Sequence, residues 1–215
     1  MPLYKTITVS PTTKVYIWKI EESLETLKST LPLGEGQTHI LTPHCQKRLD
    51  SMKSDLHQRG FMSIRHLLAE ADYTDFDLYY SPSGKPHLHD GKHISITHSY
   101  TFTAIIISDN PVGIDIEKQR DKILRIAHKF TPIEEYYTLT SSEARIRKLT
   151  YVWGAKESLY KLYNQEGLSF LKHIDVQDFE LDASQTTARV VYNGASSTYA
   201  IYLMEFEGFT CVYGL

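Results

Sequence analysis

Two acidic side chains stand at a spacing that could bring their carboxylates together. In the segment VGIDIE at 112–117, Asp115 and Glu117 alternate with Ile114 and Ile116. A strand would therefore direct both carboxylates to one face and the apolar side chains to the other. Neighbouring carboxylates repel each other unless a proton or a cation lies between them, and hard oxygen ligands of this kind suit Mg²⁺. The alternative, which this segment alone favours, is an edge strand with a solvated acidic face.

A later segment, WGAKESLYK at 153–161, adds a third carboxylate at helical spacing. Trp153, Glu157 and Lys161 follow one another at i,i+4, so one face of a helix would carry an aromatic ring, a carboxylate and an ammonium group. The core side of this helix would carry Val152, Ala155 and Leu159. Taken alone, Glu157 and Lys161 also fit an ordinary surface pair, which contributes a few tenths of a kcal/mol.

The elements that must position these groups are visible in the apolar pattern. Residues 3–20 and 94–108 alternate in the manner of strands, with a turn near Ser99 in the second segment. Residues 42–70 have apolar side chains at intervals of three and four, which predicts two helices or one bent helix. The turn-forming residues at 109–111 then break the chain.

The second half repeats this order of elements. One face of a helix would carry Ile123, Ile126, Ala127 and Phe130. Residues 148–164 predict a further helix, and 188–215 are rich in strand patterns with a turn at Asn193-Gly194. Each half therefore runs from helix into antiparallel strands. This order predicts an α+β fold of two similar halves, 1–110 and 111–215, each with a small antiparallel sheet and a packed helix.

Composition limits the partners and the compartment. The 215 residues carry a net charge of -3, which excludes a general basic field for nucleic acid. Cys45 and Cys211 lack the spacing of metal ligands or of a disulfide framework, which favours a reducing compartment. The N-terminal segment has no apolar signal core, and no run approaches the roughly 20 apolar residues of a membrane span. We therefore expect a cytoplasmic monomer without a membrane or nucleic-acid partner.

Taken together, GIDIE and WGAKESLYK resemble the paired signature of the 4′-phosphopantetheinyl transferase superfamily. The matching residues are Gly113, Asp115, Glu117, Trp153, Lys156, Glu157, Ser158 and Lys161. Gly154 departs from the pattern, in which Ser, Thr or Cys is usual, and we expect this to affect helix stability more than chemistry. The chain length resembles the fused two-half branch, the surfactin-synthetase-activating type, with its pseudo-twofold arrangement of halves.

The resemblance implies a Mg²⁺-dependent enzyme with coenzyme A as co-substrate. Such an enzyme moves the phosphopantetheine arm of coenzyme A onto a serine of an apo acyl or peptidyl carrier protein and releases adenosine 3′,5′-bisphosphate. Asp115, Glu117 and Glu157 match the family's metal ligands. Lys161 matches its pyrophosphate lysine, and Lys156 matches a cofactor-binding position although it faces another way on the helix.

The sequence offers two candidate carboxylates as the acceptor of the serine proton. Glu135, in FTPIEEYYTL at 130–139, matches the position that the family assigns to this step. A favourable acidic residue near a helix N-terminus explains Glu135 equally well. Glu157 could take the proton instead, although a metal-bound carboxylate is a weaker base.

The resemblance also assigns residues of the first half to coenzyme A. The positions that match contacts to the nucleotide's phosphates are Lys85, Pro86, Thr97 and His98. Thr97 replaces a Ser of the family and keeps its hydroxyl donor. Arg59 resembles an arginine near the adenosine 3′-phosphate, and Arg48 is a second candidate. A solvated arginine on an amphipathic helix is the simpler alternative for both.

An acidic carrier protein would need a basic docking surface. Lys122, Arg125 and Lys129 recur at intervals of three and four opposite the apolar helix face and would form one positive stripe. Further positive charge nearby comes from Lys118, Arg120, Arg145, Arg147 and Lys148. The alternative is an ordinary solvated face.

Two rival functions are weaker. The cluster HLHDGKH at 87–93 has the His-x-His spacing of a transition-metal hydrolase, but its Asp and last His stand at another offset than in two-metal hydrolases. The other rival is a module that binds coenzyme A or a carrier protein without turnover. The full set of acidic and basic matches argues against it. Neither a G-x-G-x-x-G nor a P-loop motif occurs, which excludes the dehydrogenase and P-loop classes.

Overall fold

The computed structural model describes residues 3–132, 136, 139 and 141–215. The chain divides into two compact units, the first unit Met1–Asn110 and the second unit Pro111–Leu215. Each unit has its own antiparallel sheet.

The first unit is built on a four-stranded sheet. Its elements are β1 (Leu3–Ser10), β2 (Thr13–Lys19), α1 (Leu24–Thr30), α2 (Pro43–Ser51), α3 (Asp55–Glu70), β3 (Leu78–Tyr80), β4 (Pro86–Leu88), β5 (His93–Ser99) and β6 (Phe102–Ser108). The sheet order is β1-β2-β6-β5, and β3 and β4 form a separate hairpin. Helix α3 contributes Met62 and Leu67 to a core that also contains Trp18 and Ile105 of the sheet. Burial of these apolar side chains is the main force that holds helix and sheet together.

A buried ion pair joins the helices of the first unit. Arg65 on α3 and Asp75 are 1% and 0% exposed, and their side chains meet at 2.9 Å. Asp75 also accepts hydrogen bonds from the main-chain and side-chain groups of Thr42, the residue that caps the N-terminus of α2. Arg65 donates to the Cys45 sulfur on α2 at 3.2 Å. The pair therefore fixes the start of α2 against α3, because each buried charge keeps its partners only in this arrangement.

The second unit is built on a five-stranded sheet and one long helix. Its elements are β7 (Gly113–Lys118), α4 (Lys122–Ile126), a 3₁₀ turn (Ala127–Lys129), α5 (Ser142–Tyr163), α6 (Phe170–His173), β8 (Ile174–Val176), β9 (Gln185–Tyr192), β10 (Ala195–Phe206) and β11 (Phe209–Gly214). The sheet order is β7-β11-β10-β9-β8. Ser141 caps the N-terminus of α5, and Asn164 ends it in the left-handed conformation with φ 48°.

Helix α5 packs closely on β7. A Cβ atom at Gly113 would lie 1.8 Å from the carbonyl oxygen of Ser158, so only glycine allows this approach. The Ser158 hydroxyl donates to the carbonyl oxygens of Gly154 and Val212, which ties α5 to β11 as well. A Cβ atom at Gly154 would lie 2.9 Å from Val212 Cγ2. Gly154 therefore serves the close packing of α5 on the sheet and not only the stability of the helix.

The predicted elements are confirmed in outline. The opening hairpin, the two helices of 42–70 and the strands on either side of Ser99 are present, and the structure is a mixed α+β fold with antiparallel sheets. Helix α5 begins at Ser142, earlier than predicted, and the predicted helix around Ile123 is a short helix followed by a 3₁₀ turn. The two sheets differ in strand number and order, and the pseudo-twofold similarity of the halves stays a prediction. No helix within the described ranges is long and apolar enough to cross a membrane.

Candidate active site

Helix α5 and strand β7 bring the predicted acidic residues side by side. The Trp153 indole Nε1 donates to Glu117 Oε1 at 3.3 Å, and Lys161 Nζ donates to Asp115 Oδ1 at 2.7 Å. Because Trp153, Glu157 and Lys161 lie on successive turns of one helix face, Glu157 lies between these two contacts. The predicted helix face is thus confirmed, and it covers the face of β7 that carries the carboxylates.

The environment of Glu157 makes it hard to ionise. Burial raises its pKa most, the charges of Asp115 and Glu117 raise it further, and Lys161 opposes them, so that the pKa reaches about 7. Carboxylates that share a site cannot all lose their protons without a compensating charge. The raised pKa of Glu157 therefore reports that the three carboxylates influence one another electrostatically.

Lys161 neutralises the most deeply buried member of this group. Asp115 is 6% exposed. Besides its contact with Asp115, Lys161 Nζ donates to the carbonyl oxygen of Ile114 at 2.9 Å. The ammonium group is therefore held at the end of the acidic group by two acceptors of the same strand.

The donor chemistry of this group suits Mg²⁺. It contains only carboxylate oxygens, which are hard ligands, and its mutual repulsion would be relieved by a divalent cation. In the part of the chain that the structure describes, however, no three His, Cys, Asp or Glu side chains are arranged as ligands of one metal ion. Asp115 is instead bound by Lys161, and Glu117 by Trp153. The metal role of Asp115, Glu117 and Glu157 stays a prediction.

The second candidate for proton transfer lies outside the described residues. Glu135, together with its neighbour Glu134, falls in the part of the chain for which no structural description is given. The described residues on either side are Pro132 and Tyr136, and the Thr131 hydroxyl lies 3.4 Å from that of Tyr136. The choice between Glu135 and Glu157 as base therefore stays open.

The Lys156 side chain is directed into the fold. It is 2% exposed, and its ammonium group donates to the carbonyl oxygens of Phe130, Phe170 and Ile174 at 2.7, 2.9 and 2.6 Å. These three acceptors match the three donors of an ammonium group. The cofactor-binding role implied for Lys156 stays a prediction.

A small cavity of about 130 Å³ lies beside the acidic group. Its walls combine the ring of Trp153 and the apolar side chains of Ile123 and Ile126 with the basic residues Arg120 and Lys122. Among the described residues of the predicted positive stripe, Lys122, Arg125 and Lys129 are all exposed. The predicted docking stripe is therefore accessible beside a cavity with apolar and charged walls.

Two further basic residues that were predicted to extend this stripe form ion pairs with acidic side chains instead. Arg147 donates to the carboxylate of Glu205, from Nε to Oε1 at 3.2 Å and from Nε and Nη2 to Oε2 at 3.1 and 2.9 Å. Lys148 is 5% exposed and lies 2.7 Å from Asp178. Both were expected on the positive surface, and both are neutralised because α5 turns them toward acidic partners of the second unit.

The first unit contains a larger cavity of about 360 Å³. Arg48 of α2, His57 of α3 and His98 of β5 contribute polar groups, and Phe61 and Tyr80 contribute rings. The Arg48 guanidinium carbon lies 5.8 Å from the Phe61 ring centroid and 5.3 Å from that of Tyr80. A cation held over aromatic faces beside two imidazoles is suited to a planar, anionic ligand.

Several predicted residues of the first unit take up different positions around this cavity. Gly84 and Pro86 line it, and Lys85 lies between them with a pKa lowered by burial. Arg59, the first candidate for the 3′-phosphate, instead forms an ion pair with Asp55 at 2.8 Å and does not line the cavity. Thr97 is 4% exposed and lies on the opposite face of β5 from His98.

His57 is the residue that the sequence interpretation missed. Its ring lies 6.3 Å from that of His98, edge to face, at the wall of the cavity. His57 precedes Phe61, a buried residue of α3, by one helical turn. That spacing is the signal that would have placed His57 at the cavity.

The histidine cluster at 87–93 is engaged with aromatic residues. The rings of His87 and His89 stack on Tyr79 with centroids 5.2 and 4.8 Å away. The Asp90 carboxylate accepts a hydrogen bond from the Tyr73 hydroxyl at 2.6 Å. These contacts give the cluster a role in packing the β3–β4 hairpin.

Comparison with known proteins agrees with the site. Residues 111–211 match the family model of the 4′-phosphopantetheinyl transferase superfamily. The resemblance seen in the two motifs is thereby confirmed, and the matching region makes up most of the second unit.

Curated relatives carry the same name. The 4′-phosphopantetheinyl transferase gsp of Aneurinibacillus migulanus is 31% identical over 131 residues, 60% of this chain and 53% of the relative. The 4′-phosphopantetheinyl transferase Sfp of Bacillus subtilis (strain 168) is 30% identical over 124 residues, 54% of each chain. The 4′-phosphopantetheinyl transferase psf-1 of Bacillus pumilus is 34% identical over 80 residues, 36% of this chain and 34% of the relative. The chain thus spans about half the length of the first relatives it matches.

Proposed function

We propose that this protein transfers the 4′-phosphopantetheine arm of coenzyme A to a serine hydroxyl of an apo acyl or peptidyl carrier protein and releases adenosine 3′,5′-bisphosphate. The observation that carries the proposal is the position of Glu157 between the Trp153–Glu117 and Lys161–Asp115 contacts. This arrangement provides three carboxylates and one ammonium group at a single edge of the second unit. The names of the relatives support the same reaction.

The reaction requires stabilisation of charge on a diphosphate. Attack on a phosphoryl group leaves negative charge on the departing adenosine bisphosphate. Asp115, Glu117 and Glu157 would hold a Mg²⁺ ion, which when bound supplies neutralisation of the diphosphate oxygens. Lys161 is a compact, mobile cation that can follow the developing anion. Its exchange from Asp115 to substrate phosphate would keep the charge of the site balanced.

The reaction also requires removal of a proton from serine. A carboxyl group accepts that proton best when its pKa lies near the working pH. Glu157 is one candidate, although a metal-bound carboxylate is a weaker base, and Glu135 matches the family's base in sequence. We assign the step to one of these two carboxylates.

Coenzyme A and the carrier protein require separate binding surfaces. The cavity of the first unit, with Arg48, His57 and His98, is proposed to bind the nucleotide's phosphates and ring. The exposed stripe of Lys122, Arg125 and Lys129 is proposed to attract the acidic carrier. The fused, pseudo-twofold arrangement of the halves, the monomeric state and the cytoplasmic location are parts of the same proposal.

The experiment mixes the chain, coenzyme A and each of several apo acyl and peptidyl carrier proteins, with Mg²⁺ or with EDTA. Intact mass spectrometry of the carrier should show the added phosphopantetheine arm in Mg²⁺ and its loss in EDTA. Glu157→Gln serves as the matched inactive variant. Absence of transfer to every carrier, despite measurable binding of coenzyme A, would replace the enzyme by a non-catalytic binding module. The relatives' names do not favour that alternative.

A further inference from the structure

Lys156 forms a buried junction of the second unit. Its ammonium group binds the carbonyl oxygens of Phe130, Phe170 and Ile174. Phe130 directly follows the 3₁₀ turn, Phe170 begins α6 and Ile174 begins β8. A buried cation is costly unless its donors are satisfied, so these three contacts hold three separate segments to one point of α5.

Two of the three residues bound by Lys156 also contact Trp153. The Phe130 ring lies 5.1 Å from the Trp153 ring in an edge-to-face arrangement, and the Phe170 ring lies 5.4 Å away at a tilt. These rings define the slot in which the indole lies. The indole Nε1 in turn donates to Glu117 Oε1 at 3.3 Å.

We propose that Lys156 is a positioning residue for the acidic group. By fixing the main chain of Phe130 and Phe170, it sets the indole of Trp153 in the orientation that holds the Glu117 carboxylate. This assignment differs from the cofactor-binding role implied by the family resemblance. Its effect on transfer rests on the proposed function, whereas the orientation of Trp153 can be measured without any turnover.

The geometry explains why lysine stands here. An ammonium group directs three donors to three carbonyls that approach from different directions, whereas the donors of a guanidinium lie in one plane. We therefore expect Lys156→Arg to restore the junction only in part. Lys156→Met keeps the length of the side chain and removes all three donors.

Lys148 provides a matched control on the same helix. It is buried to a similar degree, 5% against 2% for Lys156, and binds the carbonyl oxygen of Phe179 and the Asp178 carboxylate. The Phe179 ring lies edge to face with Tyr151 at 5.9 Å, whereas the described ring pairs of Trp153 are with Phe130 and Phe170. Lys148→Met should therefore lower thermal stability without changing the surroundings of the indole.

The experiment observes the Trp153 indole N–H by NMR and its fluorescence quenching by acrylamide in the full-length protein. The chain has two tryptophans, and Trp18→Phe assigns the signals. In Lys156→Met the indole proton should shift upfield as its hydrogen bond weakens, and the quenching constant should rise about twofold or more. Glu117→Gln should shift the same proton in the same direction. Combining Lys156→Met with Glu117→Gln should shift it little further than either substitution alone. Kinetically, Lys156→Met should lower kcat and leave the KM for coenzyme A within about twofold.

An unchanged indole signal in folded Lys156→Met would overturn the proposal, as would an equal shift in Lys148→Met. If Lys156→Met does not fold, Phe170→Leu keeps the carbonyl acceptor and removes the ring, and it should displace the same indole signal. The proposal would also be overturned if the indole signal is unchanged in each of the two single variants, Phe170→Leu and Lys156→Arg. Failure of the proposed function would give a different result. The parent protein would then show no transfer, while the changes of the indole signal in the variants would still be observed.

Discussion

Lys161 Nζ lies 2.7 Å from Asp115 Oδ1, one helical turn beyond Glu157. The pair compensates the buried charge of Asp115, and the Lys161 charge also opposes the rise of the Glu157 pKa. One ammonium group therefore limits the electrostatic cost of gathering three carboxylates.

Removal of this ammonium group should destabilise the protein. Lys161→Met leaves the Asp115 carboxylate buried without its cation, and we expect a loss of about 2 kcal/mol at pH 8. Lys161→Met with Asp115→Asn removes the buried charge as well and should recover part of this loss. Chemical denaturation measures both effects, with Lys122→Met as an exposed control. An equal loss in the single and the double variant would show that packing, and not charge, dominates.

Glu157 should make the metal-free protein less stable as the pH rises. A carboxyl whose folded-state pKa is raised contributes stability that is present below its ordinary value of 4.5 and is lost as the pH passes about 7. Because Glu157 is only half-buried, we expect Glu157→Gln to be more stable than the parent by about 2 kcal/mol at pH 8 in EDTA. The two proteins should have equal stability at pH 4.5. If the difference in unfolding free energy between Glu157→Gln and the parent does not vary with pH, the raised pKa of Glu157 is not its cause.

Gly113 should not tolerate any side chain. Because a Cβ atom would lie 1.8 Å from the main-chain oxygen of Ser158, Gly113→Ala must separate β7 from α5. We expect a loss of about 3 kcal/mol or more, measured by chemical denaturation. Gly60→Ala is the contrasting variant, since its Cβ would make only ordinary contacts, 3.8 Å from Ile20 and 3.9 Å from Thr103. That helical substitution should stabilise by about 0.5–1 kcal/mol.

The two arginines of the first unit should differ in their effect on coenzyme A. Arg48 lines the cavity, whereas Arg59 is paired with Asp55. A hydrogen bond to a charged group contributes about 1.5–3 kcal/mol, so Arg48→Ala should raise the KM for coenzyme A about tenfold or more. Arg59→Ala should change it less than about twofold. The reverse order of effects would restore Arg59 as the phosphate ligand.

Charge reversal on the docking stripe should weaken capture of the carrier protein selectively. We expect Lys122→Glu with Arg125→Glu to raise the KM for an acidic carrier about tenfold at low salt, and less at high salt. The KM for coenzyme A should stay within about twofold. Lys28→Glu with Lys53→Glu, two exposed lysines of the first unit, makes the same change in net charge. An equal rise of the KM for the carrier in both double variants would show that the effect comes from the net charge of the protein and not from the stripe.

The sequence predicted correctly which side chains share a face, because the repeat of a strand or a helix decides this. Alternation placed Asp115 and Glu117 on one face of β7, and helical spacing placed Glu157 and Lys161 on one face of α5. What the pattern could not supply is the contact across elements. The alternative of a solvated acidic strand could be set aside only in three dimensions, because α5 packs on β7 through the close approach at Gly113.

The partners of charged residues were the hardest feature to predict from the sequence. Lys156 stands at helical spacing from the buried Val152 and Leu159, and that spacing predicts the core side of α5, but a lysine was not expected there. Similarly, Asp55 precedes Arg59 at i,i+4, and this local partner competes with any ligand for the guanidinium. Long side chains choose among several partners, and the choice depends on three-dimensional neighbours that the sequence does not display.

The buried position of both cysteines has a practical consequence. Cys45 lies in the core of the first unit beside Arg65, and Cys211 is 0% exposed on β11. Burial also raises the pKa of the Cys45 thiol, which disfavours the reactive thiolate. A cysteine introduced at the exposed tip of the β9–β10 hairpin, for example at Ser196, would therefore react with a maleimide dye far faster than either native thiol. Site-specific labelling for single-molecule fluorescence can start from the native sequence.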